Sequence, residues 1–199
     1  MPGWTTIEGR AAALPIENID TDQLIPARFM STPRSEGYGD FLLYDLRNDD
    51  KGQPDPAFPL NRPEAMGARI LVTRRNFGAG SSREAAVYAL VDAGFQVVIA
   101  PSFGDIFSSN AVNNGLLPAR LGAGEVEALI AACPTEVNVN LRDMTITAPI
   151  GAFEFELDPV WRQKLINGWD DVDLTLAHGE EISAFVEARK AASPWVWPI

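Results

Sequence analysis

Between an apolar run and a helix-forming run the chain reads Asn76-Phe77-Gly78-Ala79-Gly80-Ser81-Ser82-Arg83-Glu84. The two glycines allow backbone conformations closed to other residues, so main-chain N–H groups can converge on one point. A helix opening near Ser82 adds its unpaired N–H groups and the positive end of its dipole, and the combination makes an anion site. Arg83 adds a planar fork of donors suited to a carboxylate or phosphate. Two plainer readings stay open. Ser81 or Ser82 could cap the helix, with Glu84 completing a capping box from Ser81. Gly78-x-Gly80 could belong to a dinucleotide loop. That fingerprint, however, needs a third glycine where Arg83 stands and an acid at the end of the next strand, which runs into Ala100-Pro101-Ser102.

The elements that must hold this loop follow from periodicity. The β-branched run at 69–73 is a buried strand, alanine and leucine spacing makes 81–93 a helix, and Gly94 closes it. A second strand at 96–100 ends at Pro101. Strand, glycine-rich turn, helix and strand form a βαβ unit, whose strands are parallel. Short helices follow at 103–114 and 124–132, and then a hairpin of strands at 136–141 and 143–148, with Arg142 and Asp143 near its turn. A strand at 152–157 precedes Pro159, which suits the first turn of a helix running to Asn167. An amphipathic helix covers 179–191.

Residues 1–46 are mixed; within them Asn18, Asp20, Thr21 and Asp22 make a turn into an apolar segment that Pro26 interrupts. The stretch at 47–63 holds four prolines and a cluster of charges, a long loop that is either a solvated excursion or a segment lying over a site or partner.

Composition narrows the chemistry. The chain has 199 residues, enough for one domain with a hydrophobic core, and a single domain over 1–199 with a C-terminal helical tail at 179–199 is expected. With 16 basic and 27 acidic residues the net charge is −11, which disfavours nucleic acid and anionic lipid. No apolar run approaches the roughly 20 residues needed to span a bilayer, and no secretory signal opens the chain, so a cytoplasmic location is expected. One cysteine, Cys133, and one histidine, His178, rule out an internal disulfide and a self-contained iron–sulfur or thiolate zinc site. Metal chemistry must come from another chain. Cys133 is expected as a packed thiol at a helix end, and His178 as a surface or helix-end residue. The apolar tail Pro194-Trp195-Val196-Trp197-Pro198-Ile199 either packs on its own domain or serves as a docking strip.

Residues 76–86, NFGAGSSREAA, resemble the NFGCGSSREHA signature of isopropylmalate dehydratase small subunits and the related serine loop of aconitases. Residues 18–26, NIDTDQLIP, are similar to that family's N-terminal NIDTDQIIP segment. Gly94-Phe95 through Ala100-Pro101-Ser102-Phe103, then Asp105-Ile106-Phe107, Asn110 and Asn114-Gly115-Leu116-Leu117-Pro118, resemble its middle block. Trp169-Asp170-Asp171-Val172 with Leu174-Thr175-Leu176 resembles its closing block. The resemblance spans roughly 5–178, with the four motifs in the family's order.

The resemblance implies an α/β fold of the swivelling β/β/α type, and a chain that works only beside a large subunit, the bearer of a [4Fe–4S] cluster. It implies reversible dehydration and rehydration of a small dicarboxylic hydroxy-acid, with isopropylmalate and leucine biosynthesis foremost. By the same resemblance Ser81 is the base, acting as an alkoxide, and Asp22 matches an aspartate tied to proton handling. Gly80, Ser82 and Arg83 would hold a substrate carboxylate, with Arg28 a second carboxylate contact. A serine alkoxide persists only where N–H donors and a positive field hold it, which the glycine turn, the helix N-terminus and Arg83 can supply. Two departures from the pattern matter for the site: the family's cysteine is Ala79 here, and its histidine is Ala85. That second change, expected near the anion loop, leaves open a paralogous methylmalate- or citraconate-type substrate; a non-catalytic anion-binding module is the alternative of another class.

Overall fold

The computed structural model describes residues 2–197; Met1, Pro198 and Ile199, which belong to the expected domain and tail, lie outside the described residues. Seven strands form one sheet in the order β4-β3-β2-β1-β5-β6-β7. They are β1 (Thr6–Leu14), β2 (Ile70–Thr73), β3 (Val97–Ala100), β4 (Leu117–Arg120), β5 (Thr135–Asn140), β6 (Thr145–Ala148) and β7 (Gly151–Glu154). The helices are α1 (Thr21–Leu24), α2 (Tyr44–Arg47), α3 (Glu84–Asp92), α4 (Asp105–Asn113), α5 (Ala123–Ala132), α6 (Pro159–Asn167), α7 (Asp171–Leu176) and α8 (Gly179–Ala192).

The expected βαβ unit is present: β2 pairs parallel with β3, and β3 with β4 in the same sense. The expected hairpin is the antiparallel pair β5–β6. Two strands are not legible in the sequence. The central strand β1 joins the two halves, parallel to β2 and antiparallel to β5, yet its sequence TIEGRAAAL carries Glu8, Gly9 and Arg10 and lacks a β-branched run. β4 contains Pro118, which argues against a strand; its place at the sheet edge lets the missing N–H face away from the ladder.

Successive strand residues point to opposite faces, so β2 and β3, buried along their whole length, feed two cores. Leu71, Val98 and Ala100 join Leu14, Leu24, Phe77, Ala86 and Leu90 on one side. Ile70, Val72, Val97 and Ile99 join Val126, Leu129, Val139 and Ile146 on the other. The first core matters for function, because α3 and the segment around α1 both lie on it.

The proline-rich stretch 47–63 is more ordered than a solvated loop. Phe58 and Leu60 are buried, Pro59–Asn61 forms a 3-10 turn, and Asn61 Nδ2 donates to the Arg47 carbonyl at 2.6 Å while its Oδ1 accepts from Arg47 Nε at 2.9 Å.

Candidate active site

The chain leaving β2 and the segment entering α1 are zipped together by backbone bonds, although about sixty residues separate them. Gly78 N–H donates to the Ile19 carbonyl at 2.7 Å, and Thr21 N–H donates to that of Ala79 at 3.0 Å. Asn18 and Asn76 both adopt positive φ, 57° and 61°, and Asn76 Nδ2 donates to Asn18 Oδ1 at 2.9 Å. Thr21, only 1% exposed, donates its hydroxyl to the Ser81 carbonyl at 3.1 Å. Asp20 is the N-cap of α1, its carboxylate accepting from Gln23 N–H at 2.7 Å and its own N–H donating to Gln23 Oε1 at 3.0 Å. This turn role accounts for Asp20.

The residues after β3 close the other side. The Ser102 hydroxyl accepts from Asn76 N–H at 2.9 Å, its carbonyl from Phe77 N–H at 3.1 Å, and Gly104 N–H donates to the Phe77 carbonyl at 2.9 Å. Phe77 is fully buried, edge-on to Phe103 and Phe107. Gly78 (φ +71°) lies against Phe107 with no room for a Cβ, whereas a Cβ on Gly80 (φ +97°) would meet nothing closer than 3.7 Å. Gly78 is therefore dictated by both space and backbone, Gly80 by backbone alone.

The helix does not open at Ser81 or Ser82. Arg83 is still extended (φ −80°, ψ 98°), its N–H donates to the Ser81 carbonyl at 2.8 Å, and α3 begins at Glu84 with no side-chain cap. The capping box from Ser81 is not formed; the Glu84 carboxylate instead accepts from Asn114 Nδ2 at 2.8 Å. Neither serine caps the helix, and both lie exposed on the loop at its N-terminal end. Burial, with a smaller contribution from Glu84, raises the Tyr88 phenol above its ordinary range.

Arg83 donates to the Asp22 carboxylate across the zipped segments, with the arginine side chain 22% exposed and the aspartate 59%. Asp22, Gly80, Ser81, Ser82 and Arg83 thus share one constellation. Arg28 is engaged elsewhere: it donates to Asp45 and lies over the Phe29 and Tyr44 rings, 4.6 and 5.5 Å from their centroids. The hydrogen bond between them holds the Asp45 carboxyl below its usual range. Ala85 is buried in the first core, 8% exposed, rather than lying open on the anion loop. Thr21, Ser102 and Asn114 stand inside motifs visible in the sequence, but only the fold shows that they brace this loop.

Away from the loop, Cys133 is partly buried at the end of α5, and burial pushes its thiol up to about 11. His178 precedes α8, exposed, with Nδ1 3.0 Å from Glu181. Among the described residues no three His, Cys, Asp or Glu side chains are grouped to hold a metal, and no helix is long and apolar enough to cross a membrane.

A seven-stranded sheet that presents a Gly-x-Gly-Ser-Ser-Arg loop beside a capped Asp-Thr-Asp turn defines a swivelling domain of the aconitase type. Residues 1–124 match the family model described as the aconitase C-terminal domain, and residues 171–198 match the one for the C-terminal domain of the 3-isopropylmalate dehydratase small subunit. The 3-isopropylmalate dehydratase small subunit of Shouchella clausii is 46% identical over 189 residues, spanning 94% of this chain and 96% of that one. The one from Phenylobacterium zucineum is 44% identical over 200 residues, spanning 98% of each. The crystal structure of 3-isopropylmalate dehydratase from Methanocaldococcus jannaschii matches with a TM-score of 0.65 at 26% identity, over 93% of this chain and 99% of that one. The chain belongs to the family of 3-isopropylmalate dehydratase small subunits.

Proposed function

We propose that this chain supplies the base and a carboxylate-binding loop to a large subunit, and that the pair interconverts 2- and 3-isopropylmalate by dehydration and rehydration in the cytoplasm. The observation that carries the reading is the constellation of Ser81, Ser82, Arg83 and Asp22, held at the N-terminus of α3 by hydrogen bonds from three separate motifs.

Ser81 Oγ takes the proton from the carbon next to a substrate carboxylate. That proton is weakly acidic, so the electron-rich intermediate needs donors already in place. The first-turn N–H groups of α3, the positive end of its dipole and the Arg83 fork are such donors, and they favour the ionised form of the serine. Ser82 and Arg83 hold the carboxylate that orients the carbon toward Ser81. Arg83 can exchange the exposed Asp22 carboxylate for that of the substrate, because the two offer it the same two-oxygen acceptor. Arg28, on its aromatic shelf, is a second carboxylate contact once freed from Asp45.

A single cysteine and a single histidine do not fit an iron–sulfur cluster on this chain. The [4Fe–4S] cluster is expected on the large subunit, where it supplies a Lewis acid for the leaving hydroxyl. The test is anaerobic co-purification with the large subunit, reconstitution of the cluster, and assay on 2-isopropylmalate by the ultraviolet absorbance of the conjugated dehydration product. Turnover by the pair and by neither chain alone is expected. A pair with an intact cluster that turns over no hydroxy-acid would leave the loop as an anion-binding module.

A further inference from the structure

The last described residues contribute almost nothing to either core. Neither α7 nor α8 buries a residue, yet Val172, Leu176, Ile182, Phe185, Trp195 and Val196 are between 44% and 80% exposed. Val172 and Leu176 lie one turn apart on α7, and Ile182 and Phe185 one turn apart on α8, so each helix carries a short apolar stripe. A 14-residue helix is marginal in water without a surface to pack on. Asp171 nevertheless fixes where the segment starts, through its ion pair at 2.7 Å to the buried Lys164 of α6.

The charges around these stripes are one-sided. With Asp171 paired to Lys164, Asp170, Asp173, Glu180, Glu181 and Glu187 stand against only Arg189 and Lys190 within the segment. A second copy of this chain would bring the same acidic rim against itself, on a molecule already at −11. The occupant is therefore a different chain, apolar where it meets the stripes and basic at its edge. Residues 171–198 match a model described as the C-terminal domain of the 3-isopropylmalate dehydratase small subunit, apart from the aconitase module at 1–124, which favours the large subunit as that chain. A module described as the C-terminal domain of aconitase is tethered to the rest of its enzyme by the chain itself, which keeps its effective concentration high. A free-standing subunit lacks that tether and needs an added surface in its place.

We infer that residues 171–197 are a docking strap that holds this chain to the large subunit. The strap lays the apolar stripes of α7 and α8 into a groove edged by lysine or arginine. The inference rests on the proposal of a large-subunit partner. It assigns no catalytic role to the strap.

The test compares the full-length chain with Ile182→Glu/Phe185→Glu and with the conservative Phe185→Leu, measuring affinity for the cluster-loaded large subunit and kcat at saturating partner. The double variant is expected to bind at least roughly thirtyfold more weakly, the scale of a lost interface anchor, while Phe185→Leu stays near wild type. The double variant should keep its circular dichroism and, once partner saturates it, its kcat. Wild-type association should weaken as salt rises from about 0.05 to 0.5 M, as an acidic rim on a basic edge requires. Unchanged affinity in the double variant would overturn the strap and leave the two-chain reading standing. A wild-type chain that never binds the large subunit would overturn both, and one that self-associates through this face would overturn the choice of partner.

Discussion

Adding one methyl group at Gly78 and at Gly80 should give different results, because the two glycines are required for different reasons. A Cβ on Gly78 would sit inside 3.0 Å of the Cβ, Cγ and Cδ2 atoms of Phe107, a ring fixed by Phe77 and Phe103. Overpacking of this kind costs about 1–3 kcal/mol, and a non-glycine residue at positive φ costs about 1–2 kcal/mol more, so Gly78→Ala should lose about 2–5 kcal/mol. Gly80 has only the backbone term, because its nearest neighbour to a Cβ would be 3.7 Å away, and Gly80→Ala should lose about 1–2 kcal/mol. Urea unfolding of the isolated chain followed by tryptophan fluorescence measures both. Combining Gly78→Ala with Phe107→Ala should cost less than the sum of the single changes by about 1 kcal/mol or more, because removing the ring removes the two closest contacts, to Cγ and Cδ2, and leaves only the one with the Phe107 Cβ. Equal losses at the two glycines, or strict additivity with Phe107→Ala, would refute the packing argument.

Asp20→Ala removes the cap of α1 and should cost about 1 kcal/mol in the same unfolding assay. Asp171→Ala strands the buried Lys164 ammonium with fewer acceptors and should destabilise more than Lys164→Met, which removes the charge along with its partner's task; the order of their urea midpoints checks this. The native state holds the Cys133 proton more tightly than the unfolded chain. The stability from keeping this thiol neutral is thus intact below the ordinary thiol range and declines as pH climbs toward about 11. Iodoacetamide labelling of the folded chain should be correspondingly slow at pH 8 relative to a free thiol near pKa 8.5.

Much of the fold is legible where local and global signals agree. The run RILVT, the helix after the serines and the strand closed by Pro101 each carry one clear period, and they form β2, α3 and β3. β1 is hidden because its outward positions carry Thr6, Glu8 and Arg10, and its inward ones are partly alanine, so no strong hydrophobic contrast marks it. Local sequence places the helix start too early because Ser-Ser-Arg-Glu is also a capping pattern. The competing requirement, a bond from Thr21 to the Ser81 carbonyl sixty residues away, cannot be read from local sequence. Asp22 and Arg83 are each singled out by resemblance, but their pairing is visible only once the fold zips their segments together. Arg28 illustrates the limit: the resemblance proposes it as a carboxylate contact, while its partner in the structure is Asp45.

The central claim is that Ser81 is a base and not a structural serine, and the direct measurement is steady-state kinetics of Ser81→Ala assembled with the large subunit and an intact cluster. Because the serine caps no helix and lies exposed, the variant should fold and assemble as the native chain does. Turnover should fall by about 10²–10⁴, the usual worth of a positioned base, with KM nearly unchanged, whereas Arg83→Lys should mainly raise KM. A Ser81→Ala enzyme that keeps native kcat would contradict the account.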